Sequence, residues 1–124
     1  MLVLDAGALA AVERSNRDVI ALIKRERLAG RTPITHGGIV GQVWRGGGRQ
    51  ANLARLLPGL DIVALDAALG RRAGALLARS RTTDVIDAAL ALLAQDGDEI
   101  LTSDPDDLRV LFAAIGVHAD VVDV

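Results

Sequence analysis

Asp5 closes an apolar run, Met1-Leu2-Val3-Leu4, and is followed at once by the small residues Ala6, Gly7 and Ala8. A carboxylate at the C-terminal edge of a buried parallel strand faces the crevice where open α/β sheets bind ligands. Ile100-Leu101-Thr102-Ser103 leads into Asp104 in the same way. Between them, Asp84-Val85-Ile86-Asp87-Ala88 sets two carboxylates at i and i+3 on one face of a helix start. Asp104 and Asp107 repeat that spacing around Pro105, a residue suited to the first helical position. Capping accounts for each pair singly, because the N-cap and first turn both favour acids. A metal site accounts for them jointly, and a helix start beside a strand end serves both. Two carboxylates about 4 Å apart repel by roughly 4 kcal/mol at an effective dielectric near 20, and a divalent cation reverses that sign.

Other chemistry is weaker. The chain has no cysteine, which removes thiolate metal sites, cysteine nucleophiles and disulfides. Ser15, Ser80 and Ser103 lack a nucleophile-elbow setting. Gly46-Gly47-Gly48 lacks the spacing and the following Lys-Ser/Thr of a phosphate loop, and reads as a turn between helices. His36 reads as a helix-start hydrogen-bonding group, and His118 as an ordinary residue of the last strand. A phosphoacceptor receiver domain would need an acidic pair at the first strand and a late lysine, whereas the only lysine is Lys24.

Alternating strands and helices must position the acids. Residues 1–5 predict a buried strand, 8–13 a short helix, and Asn16 caps a helix to about Leu28 that Gly30 ends. The pattern then predicts a strand over 32–35, a helix over 37–45, a helix over 51–57 and a strand over 60–65. Asp66 caps a helix to about Arg79, and a helix covers 84–95. The last elements are a strand over 99–102, a helix over 106–115 and a strand over 117–122. Such alternation implies a mostly parallel sheet with helices on both faces. Residues 1–124 form one domain, with no internal repeat or linker.

The 124 residues are half hydrophobic but hold one Phe, one Trp and no Tyr, so the core is aliphatic. Scarce aromatics argue against nucleic-acid binding by base stacking. The net charge of −2 requires any nucleic-acid contact to come from a local patch. No uncharged stretch reaches the roughly 18 residues of a membrane span, and a cytoplasmic protein is the expectation.

Leu2-Val3-Leu4-Asp5-Ala6, Asp84-Val85-Ile86-Asp87-Ala88-Ala89-Leu90-Ala91 and Ile100-Leu101-Thr102-Ser103-Asp104-Pro105-Asp106-Asp107-Leu108 together resemble PIN-domain ribonucleases. The likeness is strongest to the VapC toxins of bacterial toxin–antitoxin pairs, and its order and spacing cover nearly the whole chain. The resemblance implies a PIN-like α/β/α sandwich whose acids bind Mg²⁺ or Mn²⁺ and hydrolyse RNA with water. By position Asp5, Asp87 and Asp104 match the first, third and fourth family acids. Asp84 and Asp107 stand as outer acids or direct ligands. Thr102 matches the hydroxyl residue two positions before the last acid. The family's second acid, usually Glu, falls at Gln42, so the resemblance implies a weaker metal site. A natural weak or inactive relative, a silenced toxin and compensation by Asp84 each fit. A cognate antitoxin and a homodimer are the implied partners; the alternative is an impaired RNA-binding or antitoxin-binding module. Arg45, Arg49, Arg79 and Arg81 read either as solvated surface or as RNA phosphate contacts. Trp44 reads as core in preference to an interface, and Phe112 as core.

Overall fold

The computed structural model describes all residues, 1–124. Its strands are β1 (Leu2–Leu4), β2 (Ile34–His36), β3 (Asp61–Val63), β4 (Glu99–Thr102) and β5 (Asp120–Asp123). All pair in parallel, in the order β3-β2-β1-β4-β5. The seven α-helices are α1 (Ala6–Glu13), α2 (Arg17–Leu28), α3 (Gly37–Val43), α4 (Ala51–Leu56), α5 (Ala67–Ser80), α6 (Val85–Ala91) and α7 (Pro105–Ile115). One group packs α1 against α2, α3 and α4, and the other packs α5, α6 and α7 together. No helix is long and apolar enough to cross a membrane.

Parallel strands covered on both faces read as unbroken apolar runs, and Leu2, Val3 and Leu4 are all wholly buried. The outer strands carry Asp61, Asp120 and Asp123 exposed, charges that discourage further strand pairing. Helix α6 is buried through Ala88, Ala89, Leu90 and Ala91, and its alanines let neighbouring helices approach closely. Asn16 caps α2 through Asp18 N and Val19 N, and Asp66 caps α5 through Leu69 N, as their sequence positions predict.

Several boundaries differ from expectation. Helix α1 begins at Ala6 because the Asp5 carboxylate takes the Ala6 N–H and stands as its cap. The helix expected over 84–95 stops at Ala91; beyond it Asp98 Oδ2 accepts from Gln95 N and Gly97 turns with φ 86°. β2 spans 34–36, and β3 is shorter than expected at 61–63. β5 runs over 120–123 because its register is set by β4, from Glu99↔Asp120 to Thr102↔Asp123. His118 therefore lies in the preceding loop, exposed. Phe112 is core, but Trp44 ends α3 with 40% of its surface exposed, correcting its core assignment. The glycine turn is braced by the buried Gln50 side chain. Its Oε1 accepts from Arg45 N and Gly46 N, and its Nε2 donates to the Val43 carbonyl.

Gly7 fixes the approach of α1 to the loop after β4. A Cβ there would lie 2.5 Å from Ser103 Oγ and 2.8 Å from Ser103 N. Gly7→Ala is expected to cost about 1–3 kcal/mol through overpacking, read from urea unfolding at unchanged m-value. A Ser103→Ala background should not restore the loss, because the backbone contact persists. Equal stability of Gly7→Ala and the parent protein would refute this close approach.

Candidate functional site

Beyond β1 the chain builds β2 on one side, and the path from β3 crosses to β4 on the other. Open α/β sheets bind ligands outside the carboxyl ends of their strands at such a switch point. The register Leu4↔Leu101 continues one residue further, with Asp5 N donating to the Leu101 carbonyl at 3.0 Å. Asp5 thereby comes level with Thr102. Thr102 Oγ1 donates to Asp5 Oδ2 at 2.6 Å and accepts from Asp104 N at 2.9 Å. Asp5 Oδ1 accepts from Ala6 N at 2.7 Å. Two strand ends almost a hundred residues apart are thus joined by one buried hydroxyl.

Asp87 is supplied by the first turn of α6, and His36 helps to hold that turn. His36 is wholly buried at the end of β2. Its Nδ1 accepts from Gly38 N at 3.1 Å, the helix-start bond expected of it. That leaves the proton on Nε2, which donates to the Ile86 carbonyl at 2.9 Å. Burial chiefly lowers the imidazole pKa, against the Ile86 bond and the Asp5 charge, so the neutral ring is favoured. A Cβ at Gly38 would lie 2.7 Å from Ile86 Cδ1, so a small residue is needed beside this bridge.

The acids interact. Burial, followed by the charges of Asp5, Asp84, Asp104 and Asp107, pushes the Asp87 carboxyl up to about 7. Burial likewise raises Asp5, with Asp104 and Asp84 adding, against the hydrogen bonds from Thr102 and Ala6. The chain's ion pairs lie elsewhere: Arg25–Glu99, Arg31–Glu26, Arg109–Asp106 and the Met1 amino group with Asp98. None of the five clustered acids is paired with a cation. Asp84 Oδ1 does cap α6, accepting from Asp87 N at 3.1 Å. Asp104, expected to cap α7, makes no side-chain cap bond; its N–H donates to Thr102 Oγ1 and the residue is exposed. Asp84, Asp87 and Asp107 line a cavity of about 310 Å³ with Arg81, Thr82, Thr83, Val110 and Leu111.

Uncompensated carboxylates are the donor set that Mg²⁺ and Mn²⁺ prefer. As the side chains stand, no three of the chain's His, Asp and Glu residues are grouped to hold a metal ion. The donor chemistry fits a hard cation, and closing on one requires the exposed Asp84, Asp104 and Asp107 side chains to turn inward. Gln42 is exposed near the end of α3. Arg45 donates to the Gly41 and Trp44 carbonyls, Arg49 and Arg79 are exposed elsewhere, and only Arg81 of the four arginines lines the acidic cavity. Sequence reasoning missed the His36–Ile86 bridge and the Gly7–Ser103 approach. The run His36-Gly37-Gly38 was the one available signal for the first.

No family model matches the chain, and no curated protein matches it. Among solved structures it is similar to a chain of VapBC2 from Rickettsia felis, whose crystal structure is bound to a DNA fragment from their promoter. The TM-score is 0.68 at 12% identity, covering 98% of both chains. At that identity the likeness concerns the fold, and the PIN-like α/β architecture expected from the motifs is borne out.

The raised Asp87 pKa has a defined sign. Between the ordinary carboxylate value of 3.8 and about 7, the folded protein keeps a proton that the unfolded chain has released. The stabilisation from protonated Asp87 is full below that window and is lost as pH rises through it. Asp87→Asn is therefore expected to flatten the decline in unfolding free energy between pH 5 and 8. Parallel stability–pH curves for the two proteins would contradict the assignment.

Proposed function

We propose that this chain is a metal-dependent ribonuclease of the VapC type, hydrolysing RNA phosphodiester bonds and restrained by a cognate antitoxin. The observation that carries the reading is the set of unpaired acids at the β1/β4 switch point, with Asp5 and Asp104 joined through Thr102. The likeness to a VapBC2 chain over its whole length supports the same reading of the fold and suggests a partner protein. A homodimer and a cytoplasmic setting belong to the proposal through the motif resemblance.

Asp5, Asp87 and Asp104 would hold Mg²⁺ or Mn²⁺, with Asp84 and Asp107 as outer or direct contributors. When bound, such an ion acidifies water and neutralises charge that builds on the phosphate. The residues do the rest. Thr102 and Ala6 each occupy one oxygen of Asp5 and fix its plane. Asp87, whose carboxyl burial and neighbouring acids raise to about 7 in the absence of a cation, would give up its proton on binding one, so metal binding would release a proton near pH 7. Arg81 supplies positive charge beside the cavity, and Arg45, Arg49 and Arg79 are candidate contacts along the RNA. Asp5→Asn and Asp104→Asn are expected to lower Mg²⁺-dependent cleavage of total cellular RNA by at least about a hundredfold, a loss comparable with removing a catalytic charge. Undiminished cleavage by both variants would exclude this acid set.

Gln42 favours a second reading, an RNA-binding or antitoxin-binding module without turnover. Gln retains an oxygen acceptor and lacks the charge of Glu. Gln42→Glu is expected to raise the cleavage rate and tighten Mg²⁺ dependence. Under the second reading, RNA would bind the parent protein and remain intact at catalytic protein concentrations.

A further inference from the structure

Arg81 stands in the left-handed region, φ 57°, as the residue that ends α5. Glycine is the usual solution there, and this chain uses it at the end of α7, where Gly116 has φ 70°. The other non-glycine residue with positive φ is Ser15, whose Oγ accepts from Asn52 Nδ2. Arg81 has no such partner in the fold: it makes no ion pair and no side-chain hydrogen bond, although Asp84, Asp87 and Asp107 line the same cavity. The cavity's lining also includes Val110, 47% exposed, beside buried Leu111. An exposed Val on α7 contributes little to the core and leaves an apolar surface facing the cavity.

The cavity therefore combines one unpaired guanidinium, the three carboxylates of Asp84, Asp87 and Asp107, the Thr83 hydroxyl, a Thr82 hydroxyl bonded to Ser80 Oγ, and a short apolar wall in about 310 Å³. That volume is at the small end of ligand sites, which run from about 300 to 1,000 Å³. We infer that it is a single-nucleotide subsite of the RNA strand, with Arg81 on the phosphate, the exposed Val110 against the base, and the three carboxylates toward the cation that the proposed function places beside them. The exposed Thr83 hydroxyl supplies a donor and an acceptor for the sugar edge, while the Thr82 hydroxyl is shared with Ser80 Oγ. The inference rests on the ribonuclease reading and names the position at which the nucleotide flanking the cleaved bond is held. Arg45, by contrast, is tied to the end of α3, so the four arginines are not equivalent. Arg81 is a positioning residue here, and its strained backbone places the guanidinium at the cavity.

Substitutions at two positions test the subsite without threatening the fold, since glycine suits the left-handed position and Val110 is largely exposed. A fluorescent single-stranded RNA is titrated with each protein, with Ca²⁺ in place of Mg²⁺, over a range of salt concentrations. Arg81→Gly is expected to weaken binding about tenfold, to reduce the salt slope by about 0.7 for one lost phosphate contact, and to leave the melting temperature equal or higher. Arg81→Lys should restore the slope. Val110→Asn should weaken binding several-fold at unchanged slope. Parent-like affinity and slope in both variants, with RNA binding intact in the parent, would overturn the subsite alone. Absence of RNA binding by the parent would overturn both the subsite and the ribonuclease reading.

Discussion

The hydrogen bond from Thr102 Oγ1 to Asp5 Oδ2 holds the two halves of the molecule in register at the one place where function is expected. It forms because β1 and β4 pair residue for residue up to Leu4↔Leu101, and the backbone bond from Asp5 to Leu101 extends that pairing. A slip of one residue would turn Asp5 from the crevice to the opposite side of the sheet. The aliphatic residues Leu2, Val3, Leu4, Ile100 and Leu101, all wholly buried, set against that slip the burial of the central layer. Both faces of these strands are apolar, so register, and hence the Asp5–Thr102–Asp104 chain, is fixed at the ends of the apolar runs, where a slip would draw a polar strand-end residue into the buried layer.

The electrostatics follow from that placement. This chain pairs acids elsewhere: Glu26, only 3% exposed, receives two hydrogen bonds from Arg31 that hold its pKa down. At the switch point no arginine or lysine performs that service, and burial, followed by the neighbouring carboxylates, pushes the Asp87 carboxyl up to about 7. Fully ionised and unpaired, the cluster would oppose folding. Protonating Asp87 relieves part of that opposition, and a bound cation would relieve more. The fold thus tolerates an unsatisfied charge that a structural role alone does not require.

Much of this was legible in the sequence, for identifiable reasons. The β4 boundaries followed from a clean apolar run between polar residues, and the caps Asn16, Asp66 and Asp84 from side-chain chemistry that acts within three residues. The end of α6 was not legible, because Leu92, Leu93 and Ala94 continue a helical pattern while Asp98 and Gly97 turn the chain through contacts outside that window. Trp44 misled because size suggested burial, whereas its position closes a helix at the surface. The three acid-bearing segments were evident by motif, but the buried imidazole linking β2 to α6 was not, since Ile86 lies 50 residues from His36.

The site divides into a fixed part and an adjustable part. Asp5, Thr102 and Asp87 are buried and set by the sheet and by α6. Asp84, Asp104 and Asp107 are exposed, and of these only Asp84 has its carboxylate engaged, in the cap of α6. Under the proposed ribonuclease reading, the buried acids would fix where charge accumulates, and the exposed ones would be free to adjust to a cation and a phosphate. Burial raises the Asp87 carboxyl first and the charges of Asp5, Asp84, Asp104 and Asp107 add to it, so the buried member of the cluster is the one that holds its proton until counter-charge arrives.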